Sequence, residues 1–301
     1  MTHGLPRRPL AAGAGALPGG PEGWDPQGPL TLETTRAMQR AVREEGAVPA
    51  TIGVLGGTLH IGLDDGSLAE LAAETAAGKA STANLAAVMA RGQSAGTAVS
   101  ATLAACALAE AGPIRVFATG GIGGIHAGWT QRPDVSADLL QLATTPTCVV
   151  CAGAKSILDL PATVEALETL GVPVVGYQTD LFPRFHAPGD ERLKTQHRAD
   201  DPPAVARLCR LQWEVLSADV GVVLANPIPP QFALDSRELD EAVAKANRAA
   251  DDRAVTGAER TPFLLDELAR LTNDRSLVAN IALLLNNARL AAAVAVALCR
   301  T

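Results

Sequence analysis

Short apolar runs that end in small residues and pass into helical patterns recur along this chain, and they restrict its fold more than any other feature. The clearest is Val149-Val150-Cys151-Ala152-Gly153-Ala154-Lys155-Ser156-Ile157-Leu158-Asp159-Leu160. An apolar run, a lysine, a helix entered by Ser156 and a restart at Pro161 predict a strand whose C-terminal end delivers one amine to a helix start. Ile114 to Ala118, Val174 to Thr179 and Gly221 to Ala225 repeat the strand signal, with helical patterns between them. Strands separated by helices predict a three-layer α/β/α sandwich around a mixed, largely parallel sheet, with ligands at the strand C-terminal ends.

The 301 residues include 48% hydrophobic but only 3% aromatic side chains, so the core is aliphatic. Few stacking platforms and a net charge of −7 argue against nucleic acid and for a small-molecule ligand. Five scattered cysteines (Cys106, Cys148, Cys151, Cys209, Cys299) with no cleavable signal sequence fit a reducing cytoplasm. Cys148-x-x-Cys151 lies within a predicted strand and lacks a second ligand pair, so it reads as core packing. The apolar stretch Leu277 to Cys299 is interrupted by Asn280, Asn286, Asn287 and Arg289, which predicts buried helix and no membrane span.

Residues 1–30, rich in Gly, Pro and Ala from Pro9, predict a flexible segment adding little to the core, and residues 31–301 a single α/β domain. A helix runs from Thr31 to a C-cap at Gly46, and Pro49 to Gly62 forms two strands joined at Gly56-Gly57. Lys79-Ala80-Ser81 opens a helical segment reaching about Ala90; a lysine there can meet an anion or simply be solvated. Gly96 to Thr102 leads into a helix ending at Ala111. After the strand at Ile114, Thr119-Gly120-Gly121-Ile122-Gly123-Gly124-Ile125-His126 has the glycine pairs of an anion-cradling loop, or of a plain turn. It fits neither G-x-G-x-x-G nor, with Gly153-Ala154-Lys155-Ser156, a P-loop. Asp134 and Asp138 share a face in a helix or a strand, joined by Ser136 in a strand, where the carboxylates can hold a hard divalent cation or act as acid and base; the alternative is a helix start with Asp or Ser capping. Arg192 to Asp200 reads as a polar loop, and Asn226-Pro227-Ile228-Pro229 as a stiff turn presenting Asn226. Helices fill most of the remainder. A lysine near a Gly-rich loop and an Asp pair suggests an amine nucleophile for a carbonyl carbon.

Six blocks resemble the pseudouridine-5'-phosphate glycosidase family, with its indigoidine synthase A-like fold: Gly46 to Ile52, Val116 to His126, Asp134 to Leu139, Val149 to Leu160, Gly171-Val172-Pro173 with Gly176 to Thr179, and Asn226 to Pro229. The resemblance extends through Thr261-Pro262-Phe263-Leu264-Leu265 and Ser276 to Ile281. It implies cleavage of the C-glycosidic bond of pseudouridine 5'-phosphate to uracil and ribose 5-phosphate by a Mn²⁺-dependent homotrimer. It further implies that Lys155 forms a Schiff base with C1 of the ring-opened ribose and that Asp134 holds the metal largely through waters. By the same resemblance Ser136, Ala137 and Asp138 contact substrate and Asp138 moves protons. Lys79 and Val99 add substrate contacts, and His126 and Asn280 lie close to the site. Family members carry a general-acid glutamate on a strand just before a His-Gly-x-Pro segment. The sequence begins at Met1-Thr2-His3-Gly4-Leu5-Pro6, so either that strand lies upstream of Met1 or the chain is a slow, sugar-phosphate-binding homologue. Residues 9 to 30 look like an insertion, and Ala127 stands where an arginine commonly follows the histidine.

Overall fold

A computed structural model describes residues 9–12, 29–110 and 112–300. In chain order the elements begin with β1 (Pro9–Ala12), α1 (Pro29–Glu44), β2 (Val48–Leu55), β3 (Thr58–Ile61), α2 (Asp65–Ala73), β4 (Gly78–Ala80), α3 (Leu85–Ala90), β5 (Ala95–Thr97) and α4 (Val99–Ala107). They continue through β6 (Val116–Ala118), α5 (Ala137–Leu142), β7 (Cys148–Cys151), α6 (Leu160–Thr169), β8 (Val174–Tyr177), β9 (His197–Ala199) and α7 (Pro202–Arg210). The last are β10 (Val222–Ala225), α8 (Ser236–Asp252), α9 (Arg260–Leu271) and α10 (Arg275–Cys299). The strands form one sheet in the order β4-β5-β2-β1-β6-β7-β10-β8-β9, with β3 added against β2. β2 pairs antiparallel with β3 and β5, and the other neighbouring strands of the described sheet pair in parallel.

The strand period of two explains the layers. Val149 and Cys151 of β7 point into one cluster with Phe117, Ile52, Val223 and the buried faces of α4, α5, α6 and α8. Cys148 and Val150 point the other way, against α1, α7 and α10. Both faces are covered, as the continuous apolar runs of parallel strands require. The two cysteines of the Cys148-x-x-Cys151 spacing therefore face opposite layers as free, buried thiols, and packing is their role. The helix α10 has the length and hydropathy of a membrane-crossing segment. Its buried residues, including Leu283, Ala288 and Val294, pack in the core layers instead, as the asparagine interruptions predict.

Local signals reproduce well. Gly46 follows α1 at φ +85°, and Gly56-Gly57, at φ +54° and +81°, turn β2 into β3. Four departures are instructive. Pro9–Ala12, placed by sequence in a flexible segment, forms β1 between β2 and β6, where parallel ladders on both sides hold a run too short for any periodicity. The rest of residues 1–28, with the Met1-to-Pro6 segment, lies outside the described residues. Lys79 stands on β4, paired in parallel with β5, rather than at a helix start; the turn closed by Asn84, whose side chain accepts from Ser81 N–H at 2.7 Å, separates it from α3. His197–Ala199 adds a strand beside β8 within the predicted polar loop. Finally, α6 starts at Leu160 with Asp159 as its N-cap, accepting from Ala162 N–H, and Ser156 belongs to the turn before it.

Candidate active site

Beyond the ends of β6 and β7 the two chains stay paired, and this places the lysine. Ala152 N–H donates to Gly120 O at 2.8 Å, Ile122 N–H to Gly153 O at 3.1 Å, and Lys155 N–H to Ile122 O at 3.2 Å. Lys155 is thereby fixed beside the Gly120–Gly124 loop at the C-terminal side of the sheet. Glycine is needed at Gly123 because a Cβ there would overlap the Ser136 side chain and come within 2.8 Å of Asp138 Oδ2.

Opposite that loop, Ser136 caps α5 and accepts from Asp138 N–H at 3.2 Å. The buried Asp138 carboxylate accepts from Ser100 N–H and from Gly123 N–H, each at 2.8 Å. These charge-assisted bonds tie the start of α4, the glycine loop and α5 into one frame. The segment thus combines the two roles the sequence left open: Ser136 caps, while Asp134 and Asp138 both face the same cavity.

That cavity has a volume of roughly 540 Å³. It brings together the residues that the resemblance implies for the site: Lys79, Val99, His126, Asp134, Ser136, Ala137, Asp138, Lys155 and Asn280 all line it. Asn226 does not line it; buried, it donates through Nδ2 to Asn287 Oδ1 at 2.9 Å, and Asn287 donates to Thr119 O at 2.8 Å. This pair fastens the end of β10 to the strand entering the glycine loop.

Lys155 is half-buried and lines the cavity, and the pKa of its amine is pulled from 10.5 to about 8. Desolvation is the largest cause, the positive charge of Lys79 adds to it, and Asp138 opposes it. At that pKa about a tenth of the amine is neutral at pH 7, and a neutral amine is the form able to attack a carbonyl carbon. Buried His126 is likewise held below the usual imidazole range, first by desolvation; Asp134 acts in the opposite sense, while Arg260, Lys155 and Lys79 reinforce the lowering. Its Nε2 lies 3.2 Å from Thr261 Oγ1 and its buried Nδ1 has no partner among the described residues.

Among the described residues no group of three or more His, Cys, Asp or Glu side chains is placed to enclose a metal. The cavity does offer the single carboxylate of Asp134, without a protein hydrogen-bond partner among those residues. One carboxylate completed by waters and a substrate oxygen suits a hard divalent cation such as Mn²⁺ or Mg²⁺.

Two titratable lining residues escaped the sequence reading. Asp266 of α9 faces the cavity with its pKa raised to about 7, by desolvation and then by Glu267. Buried His186 lines the cavity with Nδ1 3.2 Å from Ser156 Oγ. Nothing in their neighbouring residues separates the first from a solvated helix charge or the second from a loop histidine.

Comparison with known proteins follows the same lines. Residues 27–297 match the family described as indigoidine synthase A like protein. The chain is 46% identical over 270 residues to the pseudouridine-5'-phosphate glycosidase of Caldanaerobacter subterraneus subsp. tengcongensis, covering 90% of this chain and 86% of that relative. It is 44% identical over 295 residues to the one from Saccharopolyspora erythraea, covering 98% and 89%. Among solved structures, the prealnumycin C-glycosynthase AlnA in complex with ribulose 5-phosphate superposes with a TM-score of 0.86 at 35% identity, covering 97% of this chain and 92% of that one. An indigoidine synthase A-like protein from Thermotoga maritima gives 0.84 at 32% identity, covering 97% and 94%.

Proposed function

The chain belongs to the indigoidine synthase A-like family, and from that premise we propose that it is a pseudouridine-5'-phosphate glycosidase whose nucleophile is Lys155. The observation that carries this reading is the desolvated Lys155 amine at the end of β7, facing one cavity with Lys79, Asp134 and Asp138. The AlnA neighbour, solved with ribulose 5-phosphate, supports a sugar phosphate as the ligand class.

The bond to be broken joins C1 of the ribose to a carbon of the base. A leaving-group oxygen is absent, so the two-carboxylate scheme of ordinary glycosidases does not apply. Neutral Lys155 instead adds to C1 as the bond from C1 to the ring oxygen breaks, the proton lost by the nitrogen passing to that oxygen as it becomes a hydroxyl. A proton reaches the base at its bonded ring carbon, the C1–carbon bond breaks with its electrons restoring the base, and the nitrogen lone pair forms the C1 iminium. Water then hydrolyses the Schiff base, releasing ribose 5-phosphate and the free amine.

In this reading Asp138, its carboxylate held in place by two backbone N–H donors, stabilises the iminium and relays protons while the C1–carbon bond breaks. Ser136, Ala137 and Val99 shape the sugar site, with His126 and Asn280 beside it, and Lys79 meets the phosphate. A Mn²⁺ ion held by Asp134 and water would supply positive charge toward the phosphate. Assembly as a homotrimer belongs to the same proposal and is read by light scattering. Incubation with pseudouridine 5'-phosphate and Mn²⁺ should release uracil and ribose 5-phosphate in equal amounts; absence of both products refutes the assignment.

A further inference from the structure

Between β8 and β9 the chain turns back over the end of β7, where Gly153 bridges Arg184. There Phe185 adopts φ +63°, a left-handed conformation that an aromatic residue rarely takes. Strain of this kind persists where surrounding contacts enforce it, and it clusters at ligand sites. The contacts are present: Phe185 N–H donates to Ala152 O at 3.0 Å, and the Phe185 ring lies so close over Gly121 that a Cβ there would come within 2.6 Å of it.

The strained residue aims the next one. His186 is buried, meets the Phe185 ring edge-on at 4.4 Å between centroids, and donates no charge to the cavity, its pKa being lowered to about 3 by desolvation. Its carbonyl accepts from Leu234 N–H at 2.7 Å, and Nδ1 sits 3.2 Å from the hydroxyl of Ser156, the residue following the nucleophile. Nε2 has no hydrogen-bond partner among the described residues, and His186 lines the cavity.

Sheet order then gives the cavity a polarity. Lys79 enters from β4 at one edge of the sheet and Lys155 from beyond β7, while the loop after β8 folds back over β7, setting the Phe185 ring over Gly121 and His186 beside Ser156, the neighbour of Lys155. With C1 at Lys155 and the phosphate toward Lys79, the base, bonded to C1, lies within reach of the residues adjoining Lys155, where Phe185 and His186 line the cavity. Resting on the glycosidase reading, we infer that His186 is a specificity-determining contact, whose Nε2 hydrogen-bonds the polar edge of the pyrimidine, and that Ser156 is its positioning residue. A neutral imidazole is suited to this: it offers one directional donor or acceptor, chosen by the serine hydroxyl, to a base that carries both carbonyl and N–H groups.

The test compares His186→Phe, His186→Gln and Ser156→Ala with the unsubstituted protein, each checked for folding by thermal melting. His186→Phe is expected to lower kcat/KM for pseudouridine 5'-phosphate about tenfold, the worth of one hydrogen bond, and to weaken inhibition by uracil by about the same factor. Borohydride trapping of ribose 5-phosphate on Lys155, which does not involve the base, should be unchanged. His186→Gln should recover part of the loss, and Ser156→Ala, which keeps the imidazole, should fall between. Unaltered kcat/KM and uracil inhibition in all three variants overturn the assignment to His186 alone. So does an equal loss of ribose 5-phosphate trapping, which marks general damage to the site. If the unsubstituted protein neither releases uracil nor traps ribose 5-phosphate, the glycosidase reading falls, and the base contact with it.

Discussion

The Lys155 amine should titrate near pH 8, and the neighbours responsible should move that midpoint in opposite directions. Lowering its pKa from 10.5 to about 8 raises the neutral fraction at pH 7 from about 0.03% to about 10%, a gain of ~300-fold in reactive amine. Trace acetylation across pH 5–11, with the modified peptides quantified by mass spectrometry, reads the midpoint of Lys155 directly. Lys79→Met removes a positive neighbour and should raise it; Asp138→Asn removes a negative one and should lower it further. Since desolvation is the largest cause, the midpoint in Lys79→Met should still lie well below 10.5. The same shift has a sign for stability. An ammonium penalised only in the folded state costs stability fully below pH 8, and the cost disappears as pH rises from 8 to 10.5. Lys155→Met should therefore melt higher than the unsubstituted protein at pH 7, by about 1–3 kcal/mol, or a few degrees, while forming no adduct. A Lys155 midpoint at pH 10 or above, or a fall on removing Lys79, refutes the reasoning.

Three further outcomes follow from named contacts. Gly123→Ala should reduce kcat/KM by at least ~10²-fold, measured as uracil release, because its Cβ displaces Ser136 and the Asp138 carboxylate. Asn287→Ala leaves Thr119 O and Asn226 Nδ2 unpaired in the core and should cost about 2–4 kcal/mol in urea unfolding, since each buried orphan costs about 1–3 kcal/mol. For Asp266, whose folded pKa is raised to about 7, the penalty is absent below pH 4 and complete above pH 7. Asp266→Asn should accordingly raise the melting temperature at pH 8 and leave it nearly unchanged at pH 4, with a gain of about 1 kcal/mol after solvent screening.

Much of the site was legible because its signals are local. The strand carrying Val149, the glycine pairs at 120–124 and the Ser136 cap are each written in a few adjacent residues, and the ends of parallel strands gather them on one side of the sheet. Family resemblance then supplied roles that composition and spacing left open, above all for Lys155 and Asp138. What stayed hidden depends on distant partners. β4, β5 and β9 have three residues each, too few to show a period, and exist through their neighbours in the sheet. Lys79 reads as a helix-start lysine until β5 pairs with its strand. His186 owes its aim to Ser156, 30 residues earlier, and Asn287 serves a carbonyl 168 residues away. Asn226, read as presented by its turn, is instead turned inward, donating through Nδ2 to Asn287 Oδ1.

The most direct test of the central claim is borohydride reduction of the protein during incubation with pseudouridine 5'-phosphate, followed by peptide mass spectrometry. A ribose 5-phosphate adduct on Lys155, absent in Lys155→Met and without borohydride, is the predicted result. Uracil release with no lysine adduct, or an adduct on Lys79 instead, would contradict the account.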